Sequence, residues 1–134
     1  MSNKFKKTMI VEDNEHTRFL VNAILTSMGF QVVEAADGKI AMDKLSEPDT
    51  LDGLQAIFLD VLMPNISGMD VLTWVKQNES LNDVPVIMLT TRDMAEDLIE
   101  CYGMGADYYI SKPFTKQQIQ FGLDLILGGE KKTG

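Results

Sequence analysis

The centre of the chain contains the stretch Ala56-Ile57-Phe58-Leu59-Asp60, four consecutive apolar residues followed by a carboxylate. An uninterrupted apolar run of this length is typical of a strand buried on both faces of a parallel sheet. Four further short apolar runs occur, and all but the second are continuous. They lie at residues 9–11, 32–33, 86–89 and 108–110. We therefore predict five strands of a parallel sheet.

Apolar residues at helical spacing follow each of the five runs. They fall within residues 19–25, 40–45, 71–75, 98–102 and 119–127. Strands that recur every 20–30 residues or so, with helices between them, are typical of right-handed βαβ crossovers. The flanks of Asp52-Gly53 do not alternate, so we interpret this pair as a loop and not as a hairpin turn. The sequence predicts an α/β fold, a doubly wound (βα)5 sandwich.

Composition limits the possible functions. A chain of 134 residues with 45% hydrophobic and 24% charged residues is typical of one soluble globular domain. The formal charge of −8 argues against direct nucleic-acid binding and against binding to anionic membranes. Cys101 is the only cysteine, so an internal disulfide or a cysteine zinc cluster is excluded. No apolar run suits a secretory signal or membrane insertion, and we predict a cytoplasmic protein.

Polar side chains follow four of the five predicted strands. The first strand ends in Glu12 and Asp13, the third in Asp60, the fourth in Thr90 and the fifth in Lys112. In an open α/β sheet, ligands bind beyond the carboxyl ends of the strands. Acids after a strand often cap only the next helix. Capping does not explain three acids, a threonine and a lysine at one edge, and we favour a functional site.

The residue types at this edge favour phosphoryl transfer. Carboxylates at short range raise one another's pKa, and an oxygen-preferring cation such as Mg²⁺ relieves the conflict. A cation, Lys112 and the Thr90 hydroxyl around Asp60 would neutralise the oxygens of a phosphoryl group. A carboxylate that attacks phosphorus gives an aspartyl phosphate.

Three motifs match those of a known family. Residues 60 and 90 are separated by 30 positions and residues 60 and 112 by 52, as in that family. The motifs are Val11-Glu12-Asp13-Asn14, Asp60-Val61-Leu62-Met63-Pro64 with Gly68, and Ala106-Asp107-Tyr108-Tyr109-Ile110-Ser111-Lys112-Pro113-Phe114. On these residues the chain resembles the receiver (response-regulator) domain of two-component signal transduction, and it is similar to single-domain chemotaxis-type regulators. The resemblance implies a flavodoxin-like sheet of strand order 2-1-3-4-5.

The resemblance spans residues 8–127 and sets the domain boundaries. Residues 1–7 form an N-terminal extension, and residues 128–134 form a polar C-terminal tail that could begin a linker. No effector domain is encoded, so we expect a stand-alone regulator or a phosphorelay receiver. The alternative is a receiver fragment of a larger regulator or a hybrid kinase.

The resemblance also assigns a phosphoacceptor and a metal site. It implies that Asp60 accepts the phosphoryl group. Glu12 and Asp13 would hold Mg²⁺ together with Asp60 and the backbone carbonyl of Leu62. Glu12 stands where many relatives have Asp, and its longer side chain would act through a metal-bound water.

Further roles carried over by resemblance concern the phosphoryl group and the response to it. Thr90 and Lys112 would bind the phosphoryl oxygens. Tyr109 would be the switch aromatic, which turns inward with Thr90 after phosphorylation. The Lys112-Pro113 bond would be cis. Leu62 and Arg92, two positions after the phosphoacceptor and the threonine, would flank the path of the hydrolytic water and tune dephosphorylation.

The resemblance implies a signalling switch with self-catalysed phosphotransfer and autodephosphorylation, not a metabolic enzyme. The partner would be a histidine kinase or a phosphotransfer protein, and the protein would be a monomer or a weak phosphorylation-dependent dimer. Two rival functions are an aspartyl-phosphate phosphohydrolase and a flavodoxin-like cofactor binder. The first needs a second aspartate where Leu62 stands, and in the second Glu12 and Asp13 would repel the phosphate of the cofactor.

Other polar and aromatic residues receive ordinary interpretations. We expect His16 and Arg18 to be solvated residues of the first helix. Trp74 should lie partly outside the core, because Val71, Leu72 and Val75 occupy the inward positions of its helix.

Overall fold

The computed structural model describes residues 6–91 and 103–127. Five strands are β1 (Lys7–Val11), β2 (Gln31–Ala35), β3 (Leu54–Asp60), β4 (Val86–Thr91) and β5 (Tyr108–Lys112). Five helices lie within the described ranges: α1 (Glu15–Ser27), α2 (Gly38–Leu45), α3 (Pro48–Leu51), α4 (Gly68–Gln77) and α5 (Lys116–Leu127). Arg92, Cys101, the helix predicted at residues 98–102, residues 1–5 and the tail at 128–134 lie outside the described residues.

The strands form one sheet in the order β2-β1-β3-β4-β5, and every neighbouring pair is parallel. The five apolar runs therefore identified the five strands correctly, and the predicted strand order is confirmed. Because β1 lies between β2 and β3, the chain reverses its direction of winding at β1. In a doubly wound sheet the crevice at such a reversal, beyond the carboxyl ends of the strands, is where ligands bind.

Each strand contributes alternate side chains to two cores. Met9 of β1 packs under α2 and α4, whereas Ile10 packs on the opposite face with α1 and α5. Phe58 and Leu59 of β3 divide between the two cores in the same way. The sheet is thus covered on both faces, which explains why its strands are continuous apolar runs.

Side-chain caps start several helices shortly after a strand ends. The Asn14 side chain accepts a hydrogen bond from the Thr17 N–H at the start of α1, and Asp37 accepts one from the Ile40 N–H at the start of α2. Ser67 forms a reciprocal capping box with Asp70 at α4. These caps satisfy backbone N–H groups that lack helical partners. The resulting connections keep the carboxyl edge of the sheet close to helix N-termini.

Two local features differ from the sequence prediction or refine it. Helix α3 was not predicted, because four residues are too few to show a helical period. Asp52 and Gly53 form a turn between α3 and β3, with Gly53 at φ 81°, so the loop interpretation was correct. In α1, Phe19 and Leu20 are exposed although they belong to the apolar pattern that predicted the helix. Among the described residues, no helix is long and apolar enough to cross a membrane.

Thr8 of β1 offers a test of the packing. Its side chain is fully buried, and its hydroxyl has no hydrogen-bond partner among the described residues. A buried hydroxyl without a partner is destabilising, so Thr8→Val should stabilise the fold by about 1 kcal/mol and raise the melting temperature by about 4 °C. Thr73→Val is the matched control, because the Thr73 hydroxyl donates to the Met69 carbonyl and its loss should give no gain. A melting temperature of Thr8→Val below that of the wild type would contradict this account.

Candidate functional site

Three strand ends bring the predicted site residues together at the carboxyl edge of the sheet. Glu12 and Asp13 follow β1, whereas Asp60 ends β3 and Lys112 ends β5. The strand between β3 and β5 is β4, whose Thr90 lies in register with Ser111. The sheet topology alone therefore explains why residues separated by as many as 100 positions meet.

Lys112 joins the two buried acids of the site. Its ammonium Nζ lies 3.0 Å from Oε1 of Glu12 and 3.2 Å from Oδ1 of Asp60. Glu12 is 1% exposed, and its Oε2 accepts a further hydrogen bond from the Asn14 N–H. Two buried carboxylates that both lie next to Lys112 need its positive charge, because buried charges are unstable without a partner. The lysine thus supplies one of the positive charges that this edge requires.

Asp13 completes a group of three acids. One carboxylate oxygen each from Glu12, Asp13 and Asp60 lies within 4.8 Å of the others, and Asp13 is the exposed member. When all three acids are ionised, their three negative charges exceed the single positive charge of Lys112. A set made of carboxylate oxygens, open to water on one side, fits a hard divalent cation such as Mg²⁺. The residues present therefore fit the predicted metal.

The electrostatics of Asp60 reflect this crowding. Burial raises the pKa of its carboxyl to about 7, the charge of Glu12 adds to the rise, and Lys112 opposes it. Burial alone would lower the pKa of Lys112. The hydrogen bond to Glu12 and the charges of both acids outweigh burial and raise that pKa above its ordinary value. Without a metal, the contribution of Asp60 to stability should therefore fall as the pH rises from 3.8 to about 7, because in this range its carboxyl ionises in the unfolded chain but keeps its proton in the fold.

The loop after β3 is shaped around Asp60. Gly68 approaches so closely that a Cβ atom there would lie 2.0 Å from the Asp60 carbonyl oxygen, and its N–H donates to the Val61 carbonyl at 3.0 Å. The Leu62 N–H lies 3.3 Å from Oδ1 of Asp60, and the Leu62 side chain is 57% exposed. Asn65 turns the loop with a φ of 68°. Only glycine fits at position 68, which accounts for the motif residue there.

The remaining predicted residues lie on β4 and β5 or beyond them. Thr90 is buried at the end of β4. Tyr109 of β5 is partly buried and packs against the core beneath α4, in register with Met88. The Lys112-Pro113 peptide bond is cis. Arg92 lies outside the described residues.

The interpretation of Arg18 as a solvated residue was wrong. Its side chain is 16% exposed, and its guanidinium contacts both Glu34 and the backbone of Glu12. The sequence offers Glu34 on β2 as a residue of opposite charge, but its proximity to Arg18 can be inferred only after β2 has been placed beside β1. His16 is exposed as predicted, and Trp74 is half-buried against the core.

Comparison with known proteins gives a family for this architecture. The family model "Response regulator receiver domain" matches residues 8–123. The phosphate regulon transcriptional regulatory protein PhoB of Escherichia coli K12 is 36% identical over 114 residues, which cover 85% of this chain and 48% of that protein. The chain thus spans about half the length of this curated relative.

Two solved structures resemble the fold and share enough sequence to support the family. The chemotaxis protein CheY4 of Vibrio cholerae superposes with a TM-score of 0.81 at 27% identity, covering 92% of this chain and 99% of that chain. The second is the receiver domain of the sensor histidine kinase PA1611 of Pseudomonas aeruginosa, described with a magnesium ion in its active-site cleft. It superposes with a TM-score of 0.80 at 27% identity, covering 92% of this chain and 98% of that chain. Because the family model covers most of the chain, and the strand order and acidic edge agree with it, the protein belongs to the response regulator receiver family.

Proposed function

We propose that this receiver domain is a phosphorylation-driven switch in which Asp60 accepts a phosphoryl group. The observation that carries the proposal is the contact of Lys112 with Glu12 and Asp60 beside the exposed Asp13. This arrangement places the Asp60 carboxylate beside an ammonium group and beside two acids that would hold a metal, at one edge of the sheet. Phosphoryl transfer depends mainly on such positioning and charge neutralisation.

In the proposed reaction a carboxylate oxygen of Asp60 forms a bond to phosphorus. The bond from phosphorus to the donor breaks, and the donor group keeps the electron pair. Glu12, Asp13, Asp60 and the Leu62 carbonyl would hold Mg²⁺, which supplies charge neutralisation for the phosphoryl oxygens when bound. The Lys112 ammonium would move its contact from the Asp60 carboxylate to a phosphoryl oxygen.

Phosphorylation would then shift a two-state equilibrium. The Thr90 hydroxyl would approach the phosphoryl group, and the half-buried Tyr109 ring would turn inward into the space that Thr90 leaves. This movement would remodel the face that contains β5 and α5, and so present a different surface to a partner. The proposal is supported by the place of Tyr109 on β5, three residues before Lys112.

The donor would be a histidine kinase or a phosphotransfer protein. The domain would act alone, like CheY4, which the chain covers over almost its full length, or within a longer regulator, like PhoB, which is about twice as long. A phosphohydrolase is disfavoured, because Leu62 stands where a second aspartate would be needed. A flavin cofactor is disfavoured by the repulsion of its phosphate from Glu12 and Asp13, and the absorption spectrum of the purified protein tests it.

Lys112→Ala should uncouple phosphorylation from the switch. A charge-assisted hydrogen bond to the phosphoryl group contributes about 1.5–3 kcal/mol, so its loss should lower the equilibrium constant between the switched and unswitched states at least about tenfold. The protein is phosphorylated with acetyl phosphate and Mg²⁺, and NMR follows the amide shifts around Thr90 and Tyr109. Circular dichroism checks that the variant is folded.

Lys39→Ala is the matched control for this experiment. Lys39 pairs with Asp43 on the surface of α2, and both side chains are well exposed. This variant should switch like the wild type. Wild-type shift changes in phosphorylated Lys112→Ala would contradict the proposed role of the lysine.

A further inference from the structure

Arg18 links the acidic site to the edge strand β2. It lies one turn into α1, where its N–H donates to the carbonyl of the cap residue Asn14. Its Nε donates to Oε1 of Glu34 at 3.0 Å, and its Nη1 donates to the backbone carbonyl of Glu12 at 2.8 Å. The two contacts use the fork of the guanidinium, which holds two acceptors in fixed relative positions.

The Glu34 carboxylate is itself held from a second direction. Its other oxygen, Oε2, accepts a hydrogen bond from the Asn22 side chain on the next turn of α1. The backbone carbonyl of Glu34 accepts a hydrogen bond from Lys44 of α2 at 2.7 Å. Arg18 therefore contacts an anchored carboxylate, and its own position is fixed by both α1 and β2.

The acceptor of Arg18 Nη1 is the carbonyl of a peptide group that links two acids of the site. The Glu12 carbonyl belongs to the planar peptide unit that joins Glu12 to Asp13, the two acids that follow β1. The N–H of Glu12 donates to the Ala35 carbonyl of β2 at 3.1 Å. The peptides on both sides of the Glu12 Cα are therefore held against β2, the second of them through Arg18. Fixing this peptide plane fixes the direction in which Asp13 leaves the strand.

We propose that Arg18 is a positioning residue for the acid pair: by holding the Glu12–Asp13 peptide it sets the relative placement of the two carboxylates, and with it the Mg²⁺ affinity of the site. The inference rests on the proposed function, because it assigns Mg²⁺ to these acids. Groups that orient metal ligands typically change metal affinity or activity 10- to 100-fold when they are removed, as a general range.

The test measures the Mg²⁺ dissociation constant of the folded protein by NMR titration with MgCl₂, without a phosphodonor. Arg18→Ala should weaken binding about tenfold or more, and it should move the Asp13 amide resonance already in the absence of metal. Arg18→Lys should be impaired nearly as much, because lysine keeps the charge but lacks the fork. Lys39→Ala, which removes a surface charge, should bind like the wild type.

Glu34→Ala tests the same link from its other end. It removes the anchor of Arg18, so it should weaken binding in the same direction, and its effect should not add to that of Arg18→Ala in the double variant. It also carries the test if Arg18→Ala does not fold. Equal Mg²⁺ affinity in the wild type and in the folded Arg18 or Glu34 variants would overturn the inference. Wild-type affinity in Arg18→Lys would overturn it too, because the effect of Arg18 would then depend on its charge alone and not on its two hydrogen bonds. A wild type that does not bind Mg²⁺ would instead overturn the proposed function.

Discussion

Asp13→Asn should abolish most of the Mg²⁺ response of the protein. The wild type should gain stability when Mg²⁺ is added, because the cation relieves repulsion among Glu12, Asp13 and Asp60. Loss of one carboxylate ligand should weaken Mg²⁺ binding by roughly 100-fold, about 2.7 kcal/mol. The rise in melting temperature with MgCl₂ should disappear in the variant, and phosphorylation by acetyl phosphate should slow in parallel.

The pH dependence of the wild type provides a second reading of the same site. The proton on Asp60 competes with the metal, and the pKa of this carboxyl is raised to about 7. Stabilisation by Mg²⁺ should therefore be larger at pH 8 than at pH 6.

Asp124→Asn, an exposed site on α5, is the matched control for Asp13→Asn and should respond to Mg²⁺ like the wild type. An unchanged Mg²⁺ response in Asp13→Asn would eliminate the proposed metal site.

Leu62→Asn combined with Arg92→Glu should shorten the lifetime of the phosphorylated protein by up to about 100-fold. Hydrolysis needs a water molecule held in line with the bond between phosphorus and the carboxylate. Loss of one contact that positions a reactant commonly lowers a reaction rate by about 100-fold. Leu62 cannot form a side-chain hydrogen bond, and its exposed side chain lies two residues after Asp60. Arg92 has no lone pair with which to accept a proton or orient water through an acceptor. We therefore expect a long-lived phosphorylated state in the wild type.

The measurement is the dephosphorylation half-life at fixed Mg²⁺ for the wild type, each single variant and the double variant. Because Leu62 is already exposed, its replacement by Asn should cost little stability. Leu125→Asn makes the same chemical change at an exposed position of α5 and should leave the half-life unchanged. Hydrolysis that is equal or slower in every Leu62 and Arg92 variant would refute the proposed tuning.

The strands and the residues that follow them could be predicted because their signals are local, whereas the strand order came from the family resemblance. The run ending at Asp60 identifies both a buried strand and the residue that follows it, and the parallel connection then brings strand ends to one edge. Helix α3 and the exposure of Phe19 could not be predicted in this way. Helix α3 is too short to show a helical period, and the exposure of Phe19 depends on which part of α1 packs against the sheet.

Arg18 illustrates the kind of residue that local patterns miss. Its partners are the Glu34 side chain and a backbone oxygen, and neither leaves a periodic trace in the sequence. A charged residue near the start of a helix is usually solvated, so the ordinary interpretation was reasonable. The burial of this side chain follows only from the packing of α1 against the edge strand. Contacts across elements, and not residue type, decide such cases.

Location of the phosphoryl group tests the central claim most directly. The protein is incubated with acetyl phosphate and MgCl₂, and intact mass spectrometry followed by trapping and peptide mapping identifies the modified residue. We predict one phosphoryl group per chain, on Asp60, and no aspartyl phosphate in Asp60→Asn, which keeps the shape of the side chain but lacks the nucleophilic carboxylate. Phosphorylation of an aspartate in Asp60→Asn at the wild-type rate would contradict the account.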